Sequence, residues 1–271
     1  MGSKQISLEE QKLIQVKILE YIDAFCKENN IDYSLAYGTL LGAVRHKGYI
    51  PWDDDIDIMM TRKNYDKFRS LYKSEKYPLS DLKNDLSHPV PMGKVYDSRT
   101  YFIYKGYIKR KYGLFVDIFP LDNVPEDHDT RLLWAKKIKR FIDYNSQKNN
   151  SLIYIIKNPS PIKNIVKGCL VKIFISKKYI HKKLEQLYNK YNNIETGFKS
   201  VPAVMVMTKG NLDRVFPDRL FYEYTTMEFE GYYFQIIKDY DRYLTIFYGN
   251  YMELPPVEQR VGKHGIVAYY K

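Results

Sequence analysis

The chain has 271 residues, 45% apolar and 28% charged, an ordinary soluble balance with length for one large domain or a domain carrying a sizeable insertion. No run approaches the roughly 18 consecutive apolar residues of a spanning helix, the polar start is unlike a secretory leader, and Ile6 stands where a myristoylation signal needs Ser or Thr. The net charge of +11 is concentrated, because 15 Lys or Arg between Arg131 and Lys190 face only Asp143 and Glu185, which points to a polyanionic surface met by that segment alone.

Residues 7–30 open on Ser7 and Glu10 at capping-box spacing, and Leu13, Val16, Leu19, Ile22 and Phe25 follow at helical intervals. Cys26 and Cys169 lie too far apart for a metal spacing and read as reduced, intracellular thiols. A buried strand is expected over 31–36, a turn at Gly38, and a short helix over 39–45 capped by Thr39. "GYIPW" reads as a loop, "DIDIMM" as a strand, and Thr61 as the cap of a helix over 62–73. Strands are expected over 92–104 and 113–119, the second stopped by Pro120. From 128 to about 195 the pattern is helical and basic, interrupted at Asn158–Pro161. Beyond 200, "AVMVM" and "TTMEFEGYYFQII" read as β-like, "DYDRYLTIFYG" as a helix, and the tail "YMELPPVEQRVGKHG" as a polar loop. The expected fold class is therefore α+β. A core over 1–127, completed by 199–271, is expected around a basic helical insertion at 128–198.

"DDDIDIMM" places carboxylates on a strand that otherwise reads as core. On a strand, Asp55 and Asp57 share one face while Ile56 and Ile58 take the other. Two adjacent carboxylates repel unless a cation joins them, and hard oxygen ligands suit Mg²⁺ or Mn²⁺. The bland reading is a charged turn in which Asp53 to Asp55 cap a strand start. Three features favour the cation. Gly38 and Thr39 open a helix whose N-terminal N–H groups and dipole suit phosphate. Asp117 in "VDIF" is an isolated carboxylate in an apolar run, costly to bury unpaired. Arg45 follows on the short helix with a fork shaped for phosphate oxygens.

This order of Gly-Thr, Asp-x-Asp and a later single Asp resembles the nucleotidyltransferase superfamily, with its polymerase beta-like mixed sheet and flanking helices. "YGTLLGAVRHKGYIPWDDDID" with "VDIFPLD", and the tail "YGNYMELPPVEQRVGKH", resemble the LicD family more closely, best its bacterial phosphocholine transferases. The resemblance implies metal-dependent transfer of phosphocholine from CDP-choline to a hydroxyl of a cell-surface glycan precursor, such as a lipid-linked teichoic acid, with release of CMP. It implies Asp55, Asp57 and Asp117 as catalytic metal ligands for Mg²⁺ or Mn²⁺, and Gly38 and Thr39 as holders of the diphosphate. Asp117 would be either a ligand or the acceptor of the hydroxyl proton. Arg45, Lys94, Arg260 and His264 are candidate phosphate contacts, against a solvated edge-strand lysine and a structural histidine. Choline needs aromatic faces, and Tyr37, Tyr49 and Tyr112 lie near the motifs, of which Tyr37 is taken as a substrate-binding candidate.

Within the basic segment, Ile162, Ile165, Val166, Cys169, Leu170, Ile173 and Phe174 fall on one helical stripe bordered by lysines. Such a helix over 161–178 suits an anionic membrane, placing the protein in the cytoplasm at the inner face of the plasma membrane. The alternative is that the stripe packs on the core. Three rival functions remain: a nucleotidyltransferase moving NMP from an NTP, or a ribitol-phosphate-type transferase of the same chemistry; a nucleic-acid binder, disfavoured because the basic excess lies away from the acidic site and no stacking motif interleaves the lysines; and an inactive scaffold, which the intact aspartates oppose.

Overall fold

The computed structural model describes residues 4–88, 91–104, 108–109, 112–149, 162–207, 212, 214–262 and 266–271. The chain divides into two compact units. One comprises 1–79, 94–121 and 216–271, and the other 80–93 and 122–215.

The first unit is mixed α and β. Helix α1 (Leu8–Glu28) starts as its sequence requires, with the Ser7 hydroxyl accepting the Glu10 N–H. Its inward stripe of Val16, Leu19, Ile22 and Cys26 is buried. Strand β1 is only Ser34–Leu35, shorter than the expected 31–36. Helix α2 (Tyr37–His46) begins two residues before the expected Thr39, and Ala36 occupies its N-cap without a side-chain bond. Lys47 ends it in the left-handed region, φ 55°. Strand β2 (Asp57–Thr61) follows the acidic run, and helix α3 (Arg62–Leu71) starts after Thr61, whose side chain makes no capping bond.

The expected single strand over 92–104 is two. Strand β4 (Gly93–Tyr96) and strand β5 (Thr100–Tyr104) are separated by an Asx turn in which Arg99 N–H donates to Asp97 Oδ1. With the short β3 (Leu79–Ser80) and β7 (Phe115–Asn123), they complete the frame: the main sheet runs β1-β2-β7-β4-β3. Pro120 does not stop β7, contrary to the sequence expectation. Asp117 N–H donates to Ile56 O, so by alternation the nitrogen of residue 120 points away from β2 and no β2–β7 bond is lost. Strand β5 lies between β6 (Ile108–Lys109) and β12 (Ile266–Tyr270). The sequence reading made no assignment beyond Gly265, and residues 4 and 5 also meet this strand.

The "TTMEFEGYYFQII" run is the hairpin β10 (Tyr224–Phe229) and β11 (Tyr232–Ile237), turned by Glu230 and Gly231, both at positive φ. Glu230 N–H donates to Lys47 O, and its carboxylate accepts Tyr49 N–H at 2.9 Å. The hairpin tip thus holds the loop that leads into the aspartates. Strand β9 (Phe216–Pro217) and helix α8 (Tyr240–Tyr248) complete the unit.

The second unit is mainly helical: α4 (His128–Asn149), α5 (Ile162–Phe174), α6 (Lys177–Tyr188) and α7 (Pro202–Met207), with strand β8 (Phe198–Ser200) pairing Asp122 and Asn123. Trp134, Ile138, Ile180, Leu184, Tyr188 and Met205 form its core. Helix α7 corrects the β-like reading of "AVMVM". Five consecutive apolar residues fit either period, and Pro202 at the first helical position was the discriminating signal. The interruption expected at 158–161 lies outside the described residues. Among the described residues, no helix is long and apolar enough to cross a membrane.

Candidate active site

The site is assembled at the ends of β2 and β7. These strands run parallel with Asp57 opposite Asp117 and Ile58 opposite Ile118, so the two carboxylates stand side by side on one face. Ile56, Ile58, Val116 and Ile118 are buried and hold the strands against the core. Strand β2 begins at Asp57, so Asp55 belongs to the approach rather than to the strand. It is nonetheless the strongest charged influence on Asp57. Burial first, then Asp55, Asp117 and Asp53, push the Asp57 carboxyl well above the usual carboxylate range, with Lys94 opposing them. Part of Asp57 still reaches solvent.

Lys94 is neither solvated nor turned to an external anion. It is buried, ion-paired to Asp117, and lies 3.5 Å from the centroid of the Phe115 ring. Upstream, Asp53, Asp54 and Asp55 have carboxylate oxygens within 4.8 Å of one another. Among the described residues they are the one group of three with that spacing. The sequence reading had treated Asp53 and Asp54 as shaping the strand entry. Their backbone is anchored by a residue it passed over, Gln15, whose buried side-chain amide reaches from α1 to Asp54 O at 3.1 Å.

Thr39 and Gly38 act differently from each other. The Thr39 hydroxyl accepts the Asp57 N–H at 2.8 Å, so its side chain fixes the strand rather than the helix start. Gly38 approaches the aspartates so closely that a Cβ there would lie 2.5 Å from Asp53 Oδ2. The first N–H groups of α2, at Tyr37, Gly38 and Thr39, precede the first intrahelical bond and form its positive end. Tyr37, a candidate for substrate contact, is instead a core residue. It enters α2 at φ 45° and packs on Phe119, Tyr243 and Phe247.

Beside Gly38 and Asp53 opens a cavity of about 600 Å³, also lined by Arg45, Trp52, Tyr248 and Tyr251. Arg45 donates from Nη1 to Tyr251 O at 3.0 Å and Glu253 O at 3.3 Å, which ties the tail to α2. Its buried Nε has no hydrogen-bond partner among the described residues. Arg260 caps the rim, its guanidinium 5.7 Å from the Trp52 ring centroid and its Nε donating to Pro255 O. His264 lies outside the described residues. Tyr49 and Tyr112 do not reach the cavity. The Tyr49 hydroxyl bonds Gln15, and Tyr112 packs with Phe102 and Phe115.

The chain is 34% identical over 272 residues to the lipopolysaccharide cholinephosphotransferase LicD of Haemophilus influenzae, spanning 98% of this chain and 99% of that protein. The chain belongs to the LicD family. Residues 30–155 match the family model described as LicD/FKTN/FKRP, nucleotidyltransferase domain. A shorter likeness, 36% over 69 residues, joins a quarter of the chain to 22% of an uncharacterized protein of Rickettsia typhi. Another, 68% over 31 residues, covers 11% of the chain and 12% of an uncharacterized Rickettsia prowazekii protein. The LicD match therefore includes Gly38 at the start of α2, the acidic run and β7, all within residues 30–155.

Proposed function

We propose that this LicD-family chain, an enzyme of the transferase class, moves phosphocholine from CDP-choline to a hydroxyl of a cell-surface glycan precursor and releases CMP. The observation that carries the reading is the pairing of Asp57 with Asp117 in the field of Asp55 and Asp53, where Asp53 and Gly38, at the N-terminus of α2, line a cavity. The family model's description supports a nucleotidyltransferase-like arrangement of the core. The named relative acts on lipopolysaccharide. That favours a lipopolysaccharide-type acceptor alongside the teichoic acid type expected from the sequence.

The residues fit a divalent cation. The Asp57 carboxyl is pushed up by burial and by Asp55, Asp117 and Asp53, and a cation beside it would relieve that repulsion. Among the described residues the three carboxylates already within 4.8 Å of one another are Asp53, Asp54 and Asp55, so holding the ion with Asp55, Asp57 and Asp117 would require those three to draw together. Bound there, Mg²⁺ or Mn²⁺ supplies Lewis acidity at phosphate oxygens. The chain's own groups do the positioning. Backbone N–H groups at Gly38 and Thr39 hold phosphate with the help of the helix dipole, and Arg45 and Arg260 bring positive charge to the cavity. Trp52, Tyr248 and Tyr251 offer aromatic faces suited to a quaternary ammonium. In the transfer, the acceptor oxygen forms a bond to the choline-bearing phosphorus. The bond from that phosphorus to the bridging oxygen breaks, and CMP leaves with the electron pair. The hydroxyl proton passes to a carboxylate of the cluster, a role for which Asp117 is the candidate.

The test is incubation of the full chain with CDP-choline, Mg²⁺ and a choline-free lipopolysaccharide or teichoic acid. CMP release matched by phosphocholine on the glycan, abolished in well-folded Asp55→Ala and Asp57→Ala, is the expected result. Transfer of labelled nucleotide from an NTP to the acceptor, with CDP-choline untouched, would overturn it. A preference for CDP-ribitol would reassign the transferred group.

A further inference from the structure

The face of α5 turned to solvent is the apolar one. Val166 is 54% exposed, Leu170 51%, Ile173 71% and Phe174 77%. Cys169 is exposed as well. At 100° per residue these five cover an arc of roughly 140°. The opposite side, with Val171 buried and Ile175 partly buried, is the one that packs in the core of the second unit. Among the described residues of the stripe, the alternative that it packs on the core does not hold for Val166, Cys169, Leu170, Ile173 and Phe174, which face outward. A contiguous apolar helix face of this kind is uncommon on a soluble surface without a function.

Charge decides what covers it. The segment from Arg131 to Lys190 carries 15 basic residues against Asp143 and Glu185, and Lys178 is exposed just beyond α5. The same unit holds a groove of about 310 Å³ between α4 and α6, where Lys137, Arg140 and Lys183 stand around Phe141 and Leu187. Tyr179 packs nearby, its ring 6.3 Å from that of Phe141 and with Lys183 Nζ 5.7 Å from its centroid. A second copy of the chain laid on this surface would bring two strongly cationic segments together, which opposes self-association. An apolar helix face carried by a strongly basic segment matches the interface of an anionic bilayer, where acyl chains take the side chains and headgroup phosphates take the lysines.

We propose that α5 is an interfacial helix that docks the second unit on anionic lipid through Val166, Leu170, Ile173 and Phe174, with Lys137, Arg140 and Lys183 engaging headgroup phosphates. The inference stands apart from the reaction assigned to the first unit.

The test is co-sedimentation of the full chain with vesicles of phosphatidylcholine alone and of equal parts phosphatidylcholine and phosphatidylglycerol. Binding is expected to the mixed vesicles only and to weaken with salt. Ile173→Ser combined with Phe174→Ser should lower partitioning about tenfold or more while leaving the unfolding midpoint unchanged, since both side chains are exposed. Lys137→Glu with Lys183→Glu should weaken binding to the mixed vesicles by a comparable factor. Three results would each overturn the proposal: no binding to the mixed vesicles, binding indifferent to the Ile173 and Phe174 changes, or a concentration-dependent dimer that those changes dissolve.

Discussion

Replacing Gly38 with alanine isolates the role of close approach in the site. The added Cβ would stand 2.5 Å from Asp53 Oδ2 and 3.6 Å from its Cγ. Carbon–oxygen contacts settle near ~3.3 Å, so the carboxylate oxygen must retreat by roughly 0.8 Å. Because that oxygen ends a rotatable side chain, the fold absorbs the shift cheaply, and alanine within a helix contributes up to about 1 kcal/mol over glycine. A displacement near 1 Å in a reacting constellation costs on the order of 10²-fold in rate. Gly38→Ala is therefore expected to lower kcat between about tenfold and a hundredfold, with urea stability unchanged or slightly higher. Gly42→Ala is the control from the same helix. Its Cβ would meet backbone, Gly48 O at 2.4 Å and Ile50 N at 3.1 Å, so it should cost about 1–3 kcal/mol of stability. The assay is CMP release from CDP-choline, run beside urea unfolding of both variants. Full turnover in Gly38→Ala, or a stability loss equal to that of Gly42→Ala, refutes the reasoning.

Lys94→Met leaves Asp117 buried without its paired cation and should cost about 3–5 kcal/mol. Adding Asp117→Asn should restore most of it, and equal losses in the single and double variants would contradict the pairing. Asp57 is held above its ordinary pKa by burial and by Asp55 and Asp117, so the folded chain keeps a proton that the unfolded chain releases. The metal-free protein should consequently lose stability as pH rises from about 4 upward through the folded pKa. Asp57→Asn should flatten that slope in urea titrations with chelator present, and identical slopes for the two proteins would count against it. Thr39→Val deprives the Asp57 N–H of its acceptor and should cost about 1–3 kcal/mol. Thr39→Ser should retain most of both stability and turnover, and a serine variant as impaired as the valine one would show that the hydroxyl is not what matters.

What was legible in the chain was local. Ser7 and the stripe of α1, and the alternation of Asp55, Ile56, Asp57 and Ile58 at the entry to β2, each specify their element through neighbours a few residues away. The family motif likewise predicted that Gly38, the acidic run and Asp117 belong to one site, and the parallel register places Asp57 beside Asp117. Tertiary structure decided the rest. Thr39 could have capped its own helix, but Asp57, 18 positions away, presents an N–H that claims its hydroxyl. Lys94 reads as an edge lysine until Asp117 and Phe115 surround it. Gln15 lies on α1 like any polar helical residue, yet it anchors Asp54. Tyr37 passes from substrate candidate to core because Phe119 and Phe247 arrive from distant segments. The stripe on α5 is equally plain in sequence, but its side, inward or outward, depends on what α4 and α6 already cover. Periodicity and caps are set by bonds within a few residues, whereas burial and the partner of each polar group are set by segments tens to hundreds of positions away.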